Sequence, residues 1–303
     1  MAVLLVAGVG CKQKSVPVVT DSPFNGTIHI SVDESFKPVI EEQIKVYEGT
    51  NPGTHIIAHY KPEAECIKDL IRDSLTRMII VTRGLTSKEE HYFEDSIGYV
   101  PNWDRVATDA IAVVLHQNSA DSVFSAERLR KQLSGQMGYG QQIVFDGLSA
   151  TSTVRYAMDT LLQGKPFDTG VVKAVKSSAD VLNYVAANQN AIGVIGISWI
   201  GNPEDSAQLQ MLKKVKLAYV KCPTCSDSAY VKPSQFSIMA RRYPLVRGLY
   251  YIVKENYHGL GSGFMNFLKY ERGQLVFRRA YLWPGKIDFY IRTVKINEKL
   301  KKD

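Results

Sequence analysis

TIHISVDESFKPVIEEQIKVYEGTNPGTHIIAHY, residues 27–60, reads as strand, helix, strand. TIHISV alternates apolar and polar positions, the period of a half-buried strand. Val39, Ile40, Ile44 and Tyr47 then recur at helical spacing, and the run Gly49 to Gly53 ends that helix. HIIAHY (55–60) is the next strand. A strand, a helix and a second strand make a parallel pair with a crossover helix, so this stretch selects an α/β fold.

The same alternation continues on both sides of the middle of the chain. EAECIKDLIRDSL, SKEEHYFED, FSAERLRKQLSG, TVRYAMDTLLQGKP and SADVLNYVAANQNA read as helices, the last with Ser178 as N-cap and Asp180 in its first turn. GFMNFLKYERGQLVFRRAYL reads as largely helical, interrupted at Gly273. RMIIVT, QQIVF, AIGVIGISWI, KLAYVK, FSIMA, LYYIV and IDFYIRTVKI read as strands. VATDAIAVVLH is a long apolar run suited to a strand or a crossover between lobes. That run and the loop-rich region 222–234 are the places where a two-lobed chain would cross twice. Ligands of such sheets sit at the carboxyl ends of strands.

The chain has 303 residues, enough for two lobes. A formal charge of +7 suits a solvated basic face or an anionic partner. No RNA-binding motif or zinc-finger spacing occurs, so nucleic acid is not expected. No metal and no cofactor is expected, because the cysteines lack a second ligand pair and no phosphate-binding glycine loop follows a strand. GLSAT (147–151) half-resembles a nucleophile elbow but lacks its final glycine, so catalysis is not expected. GLGSG (259–263) reads as the first turn of a helix, His55 and His59 as strand residues sharing a face, and Cys66 as a lone buried thiol. KINEKLKKD reads as a solvated tail.

MAVLLVAGVGC, residues 1–11, is shorter than the ~20 apolar residues that span a bilayer. It reads as a signal peptide ending at a lipid-modified Cys11, with residues 12–25 as a flexible tether. An incidental cysteine in a buried strand is the alternative. In an exported protein, Cys222 and Cys225 of CPTC suit a local disulfide.

ATSTVRYAMDTLL (150–162) follows a strand and a loop. Its hydroxyls fall at a helix start, where unpaired N–H groups and the dipole attract anions. N-capping by Ser149, Thr151 or Ser152 explains the same residues equally well.

Six motifs in order resemble the PstS family, the phosphate-binding proteins of ABC transporters. They are the opening strand and helix (26–53), MIIVTRGLTSKEE (78–90), DAIAVVLHQNS (109–119), NQNAIGVIG (188–196), YPLVRGLYYIV (243–253), and FMNFL with GQLVFRRAYLWP (264–268, 273–284). The resemblance implies a two-lobed, hinged periplasmic-binding-protein fold, each lobe a mainly parallel sheet flanked by helices. It implies residues 26–112 plus 235–303 as lobe 1 and 113–234 as lobe 2. It implies an extracytoplasmic protein that holds phosphate or a related oxyanion in its cleft and serves an ABC permease. The first-lobe candidates are Ser35, Thr82 and Arg83. The second-lobe cradle is Ser152, Thr153 and Arg155, or in another frame Ser149 and Thr151; neither frame keeps the family's glycine. Glu63 or Ala64 stands where the family has a serine, and a carboxylate there would repel phosphate. The competing reading is a binding-protein fold used for a protein partner in the envelope, without phosphate.

Overall fold

The structure is a computed structural model, and it describes residues 21–138, 140–147 and 151–286. The first half-turn of the fold is β1 (Asn25–Asp33), α1 (Lys37–Thr50), β2 (Gly53–Lys61), α2 (Glu63–Arg72) and β3 (Thr76–Val81). There follow α3 (Ser87–Ile97), β4 (Asn102–His116), β5 (Val123–Phe124), α4 (Ala126–Leu133) and β6 (Gln142–Phe145). Next come α5 (Ser152–Tyr156), which continues as a π-turn over Ala157–Leu161, then β7 (Val172–Ala174), α6 (Ser178–Ala187) and β8 (Ala191–Gly196). The remainder is α7 (Ser206–Met211), β9 (Val215–Leu217), β10 (Tyr219–Lys221), β11 (Tyr230–Val231), α8 (Gln235–Met239), β12 (Val246–Val253), α9 (Leu260–Lys269), α10 (Glu271–Arg279) and β13 (Trp283–Pro284).

The main sheet has the order β2-β1-β3-β12-β4-β8-β6-β7. It is parallel on both wings, where β1 pairs with β2 and β3 and where β6 pairs with β7 and β8. It is antiparallel in the middle, where the chain returns through β12 and β4. β4 joins the two wings. Its residues Asn102–Ala110 pair with β12, and Ile111–Leu115 pair with β8. Val106, Ala107 and the run Ala110–Leu115 are buried, as a strand covered on both faces must be.

Four local readings are corrected. FSIMA is helical, because Ser234 caps α8 and shares a capping box with Ser237. KLAYVK is two strands: the chain leaves β4 after Leu217 and joins β5 at Tyr219. α6 is capped by Ser177, whose side chain accepts from the Asp180 N–H, and Ser178 is its first helical residue. The break in the C-terminal helical stretch lies at Tyr270, and Gly273 is inside α10. A Cβ at Gly273 would stand 2.2 Å from the Phe267 carbonyl oxygen, so glycine allows α10 to fold back against α9. Cys11, residues 12–20 of the expected tether and IDFYIRTVKI lie outside the described residues. Residues 21–25 are part of the fold and not tether: Asp21 accepts from Arg77 and from the Leu260 N–H, and Asn25 opens β1.

Candidate functional site

The strands of both wings end at one place, and the polar residues that follow them meet there. Asp33 closes β1, and the 3-10 turn Glu34–Phe36 follows. Ser35 donates through its N–H (2.9 Å) and its hydroxyl (2.8 Å) to Asp33 Oδ1. From the other wing, Ser152 opens α5 and brings its hydroxyl to 3.3 Å from that of Ser35.

Arg247 holds this pair from behind. It sits on β12 directly across from Asp109 on β4. Its Nε donates to Asp109 Oδ2 at 2.8 Å, Nη1 to Ser152 Oγ at 2.7 Å, and Nη2 to Ser35 Oγ at 2.9 Å. The guanidinium also lies over the Phe36 ring, 4.9 Å from its centroid. Arg247 is 7% exposed. Burial opposes its charge, but the Asp109 and Asp33 carboxylates outweigh that and hold its pKa above the ordinary value. Asp33 is pushed up to about 6, mainly by burial; Arg247 opposes the shift and Glu63 adds to it.

A second cluster spans the wings at the cleft edge. Glu63, the first residue of α2, is only 3% exposed. Its Oε1 accepts from the Thr82 N–H (2.8 Å) and hydroxyl (2.5 Å), both at the end of β3. Arg155 of α5 donates to Glu63 through Nε (2.6 Å) and Nη2 (3.3 Å), and to Thr82 Oγ1 through Nη2 (2.5 Å). Burial raises the Glu63 pKa, but the bonds from Arg155 and Thr82 outweigh it and keep the group below its usual range. A cavity of about 420 Å³ opens beside this cluster, lined by Glu63, Ala64, Ile67, Val154, Arg155 and Met158 among others.

A third cluster lies on the opposite side of Ser35. Glu34 reaches the start of α6, accepting from the Ser178 N–H at 3.2 Å and lying 2.8 Å from the Ser178 hydroxyl. Asp146, after β6, accepts from Thr153 and stands 3.2 Å from the same Ser178 hydroxyl. Burial pushes Glu34 up to about 7; Ser178 opposes the shift and the Asp146 charge adds to it.

Of the residues expected at a site, Ser35 and Ser152 meet each other, and Thr82 meets Arg155 both directly and through Glu63. Thr151 is the N-cap of α5, and Thr153 is bonded to Asp146. Arg83 lines the same cavity as Glu63 and Arg155, but both its terminal nitrogens bond Glu89 at 2.7 Å, the carboxylate that also closes the cap of α3. Ser149 lies outside the described residues. Sequence reasoning missed Arg247, Asp109, Asp33 and Asp146. The available signal was a lone charge inside an apolar strand, in VATDAIAVV and LVRGLYYIV, because such a charge needs a buried partner.

Cys222 and Cys225 form a disulfide, with 5.5 Å between Cα atoms, and Cys66 is a buried free thiol. His29 Nδ1 lies 3.0 Å from His59 Nε2 across β1 and β2, while His55 faces Glu48. Among the described residues no group of three or more His, Cys, Asp or Glu side chains is placed to hold a metal ion, and no helix is long and apolar enough to cross a membrane.

Residues 17–271 match the PBP superfamily domain. The phosphate-binding protein PstS of Pseudomonas aeruginosa is 27% identical over 195 residues, which cover 58% of this chain and 56% of that protein. The chain thus spans about half the length of the curated relatives it matches. A phosphate ABC transporter substrate-binding protein from Clostridium perfringens, solved with bound phosphate, superposes with a TM-score of 0.70 at 18% identity, over 86% of this chain and 100% of that one. An ABC-type phosphate transport receptor from Vibrio cholerae superposes with a TM-score of 0.60 at 18% identity, over 84% of this chain and 99% of that one. At these identities the likeness is one of fold, and the fold is that of the two-lobed periplasmic binding proteins.

Proposed function

Because the chain belongs to the PBP superfamily domain family, we propose that it is an extracytoplasmic solute-binding protein of PstS type, taking phosphate or a related oxyanion between its lobes for an ABC permease. The observation that carries this reading is the meeting of Ser35 and Ser152 from opposite wings on one buried guanidinium, that of Arg247. Two hydroxyls and a fixed cation are a donor set suited to a dehydrated oxyanion, which would take over the Ser35 hydroxyl now given to Asp33. Thr82 and Arg155 supply a hydroxyl, an N–H and a second cation nearby. The reading divides the lobes at the middle of β4, with residues 26–112 plus 235–303 on one side and 113–234 on the other. Binding then closes one lobe on the other by rotation, and no catalysis is required. Lipid on Cys11, with residues 12–20 as tether, would keep the protein at the membrane beside its permease.

The test is calorimetric titration of the folded protein with phosphate and with sulfate, after unfolding and dialysis to remove carried ligand. Saturable heat with phosphate is the expected result. Folded protein that gives no heat with either anion would refute the oxyanion reading and favour a protein partner.

A further inference from the structure

We infer that the Glu63 carboxylate is a tethered anion: it occupies the donors that an oxyanion would use and holds the two wings together without a ligand. Three groups converge on it. The Thr82 N–H and hydroxyl come from the wing that carries α2, and the Arg155 guanidinium comes from the other wing. This arrangement, two oxygens facing an N–H, a hydroxyl and an arginine, is how a bound oxyanion would be held. Here the anion is part of the chain.

The surroundings fit a displaceable group rather than a permanent part of the core. Glu63 is buried, yet it sits on the first turn of α2 beside the cavity of about 420 Å³. Rotation of its side chain moves the carboxylate into that cavity without unfolding the helix. Arg155 keeps 40% of its side chain exposed and has a second carboxylate, Asp159, within 3.6 Å, so its charge is met in either position. Glu34, on Ser178, and Glu204, on Arg279, also bridge the wings and support the same closed arrangement. A phosphate cannot share the Thr82 and Arg155 donors with Glu63, because two anions would stand side by side. It must therefore displace Glu63. The apparent affinity is lowered by the fraction of molecules in which Glu63 has left.

The displacement half of the inference rests on the oxyanion reading above; the bridging half does not. Small-angle X-ray scattering and calorimetry with inorganic phosphate separate the two. The variants are E63Q, which keeps the shape and removes the charge, and R155A, which removes the partner from the other wing. Circular dichroism melts confirm that each is folded. Without ligand, both variants should show a larger radius of gyration than the wild type. E63Q should bind inorganic phosphate on the order of tenfold more tightly than the wild type, or better, and phosphate should shrink its radius. An unchanged radius in both folded variants overturns the inference. So does an E63Q affinity no tighter than that of a wild type that binds phosphate. Expansion of both variants with no phosphate binding by any form upholds the bridge and refutes the oxyanion reading instead.

Discussion

Arg247 concentrates the energetic risk of the whole site in one side chain. It is buried, it neutralises Asp109, and it bonds a serine from each wing. Removing one member of a buried pair leaves the other charge unpaired, which costs about 3–5 kcal/mol. R247M should therefore lose roughly that much unfolding free energy in urea. The double variant D109N/R247M should be more stable than R247M alone, because the stranded carboxylate has gone. A double variant no more stable than the single would show that the loss is one of packing. Glu34 gives a second prediction, of opposite sign at neutral pH. Its carboxyl titrates at about 7 in the folded protein against an ordinary 4.5. Between those values the folded state keeps a proton that the unfolded state loses. Glu34 thus lowers stability as pH rises from 4.5 to 7 and costs nothing below that window. E34Q should match the wild type near pH 4 and exceed it above pH 7, by on the order of 1–3 kcal/mol. Thermal melts across that range decide the matter. At this scale the sequence was half legible. Hydroxyls next to a helix start advertise themselves, so Ser35, Ser152 and Arg155 could be named. Arg247 and Asp109 could not, since their pairing depends on the register of two strands 138 positions apart.

Elements were legible where the apolar period was long. α1 and α2 and the strands around them follow it closely. FSIMA failed because five apolar-rich residues fit either period, and the cap that decides the matter is a weak one. Ser234 accepts from the Ser237 N–H at 3.2 Å, and Ser237 returns the bond to the Ser234 N–H at 2.9 Å. The residue at the third helical position is serine, not the usual Glu or Gln that would mark a capping box in a sequence. If that box sets α8, S234A should cost about 1 kcal/mol. Equilibrium denaturation measures it, and a loss below a few tenths would mean that packing alone keeps α8 helical. KLAYVK misled for a different reason. Its apolar pattern is continuous, but Ala218 donates to Val113 while the next residue already pairs with β5. A change of sheet leaves no mark on the pattern of one strand.

For the whole molecule, the long apolar run around residues 106–115 was the most informative sign. It belongs to a strand of 15 residues, β4. At ~3.3 Å per residue such a strand reaches about 50 Å, enough to serve two sheet wings in turn. The architecture follows from that crossing together with the strand and helix alternation. The state of the cleft does not, because it depends on which charges meet when the wings come together. Glu63 reads in sequence as a group that repels an anion; in the folded chain it is held by Arg155 and Thr82. This has a consequence for ligand-linked stability. A ligand that binds only the folded protein stabilises it by about 2.7 kcal/mol at one hundred times its Kd. With the wings already bridged, phosphate should raise Tm without changing the number of transitions seen by differential scanning calorimetry. The shift should grow with the logarithm of phosphate concentration and be larger in E63Q than in the wild type at equal phosphate. If the wild type instead melts in two steps that merge only when phosphate is added, then the bridges of Glu63 and Glu34 are too weak to couple the lobes, and the ligand alone joins them.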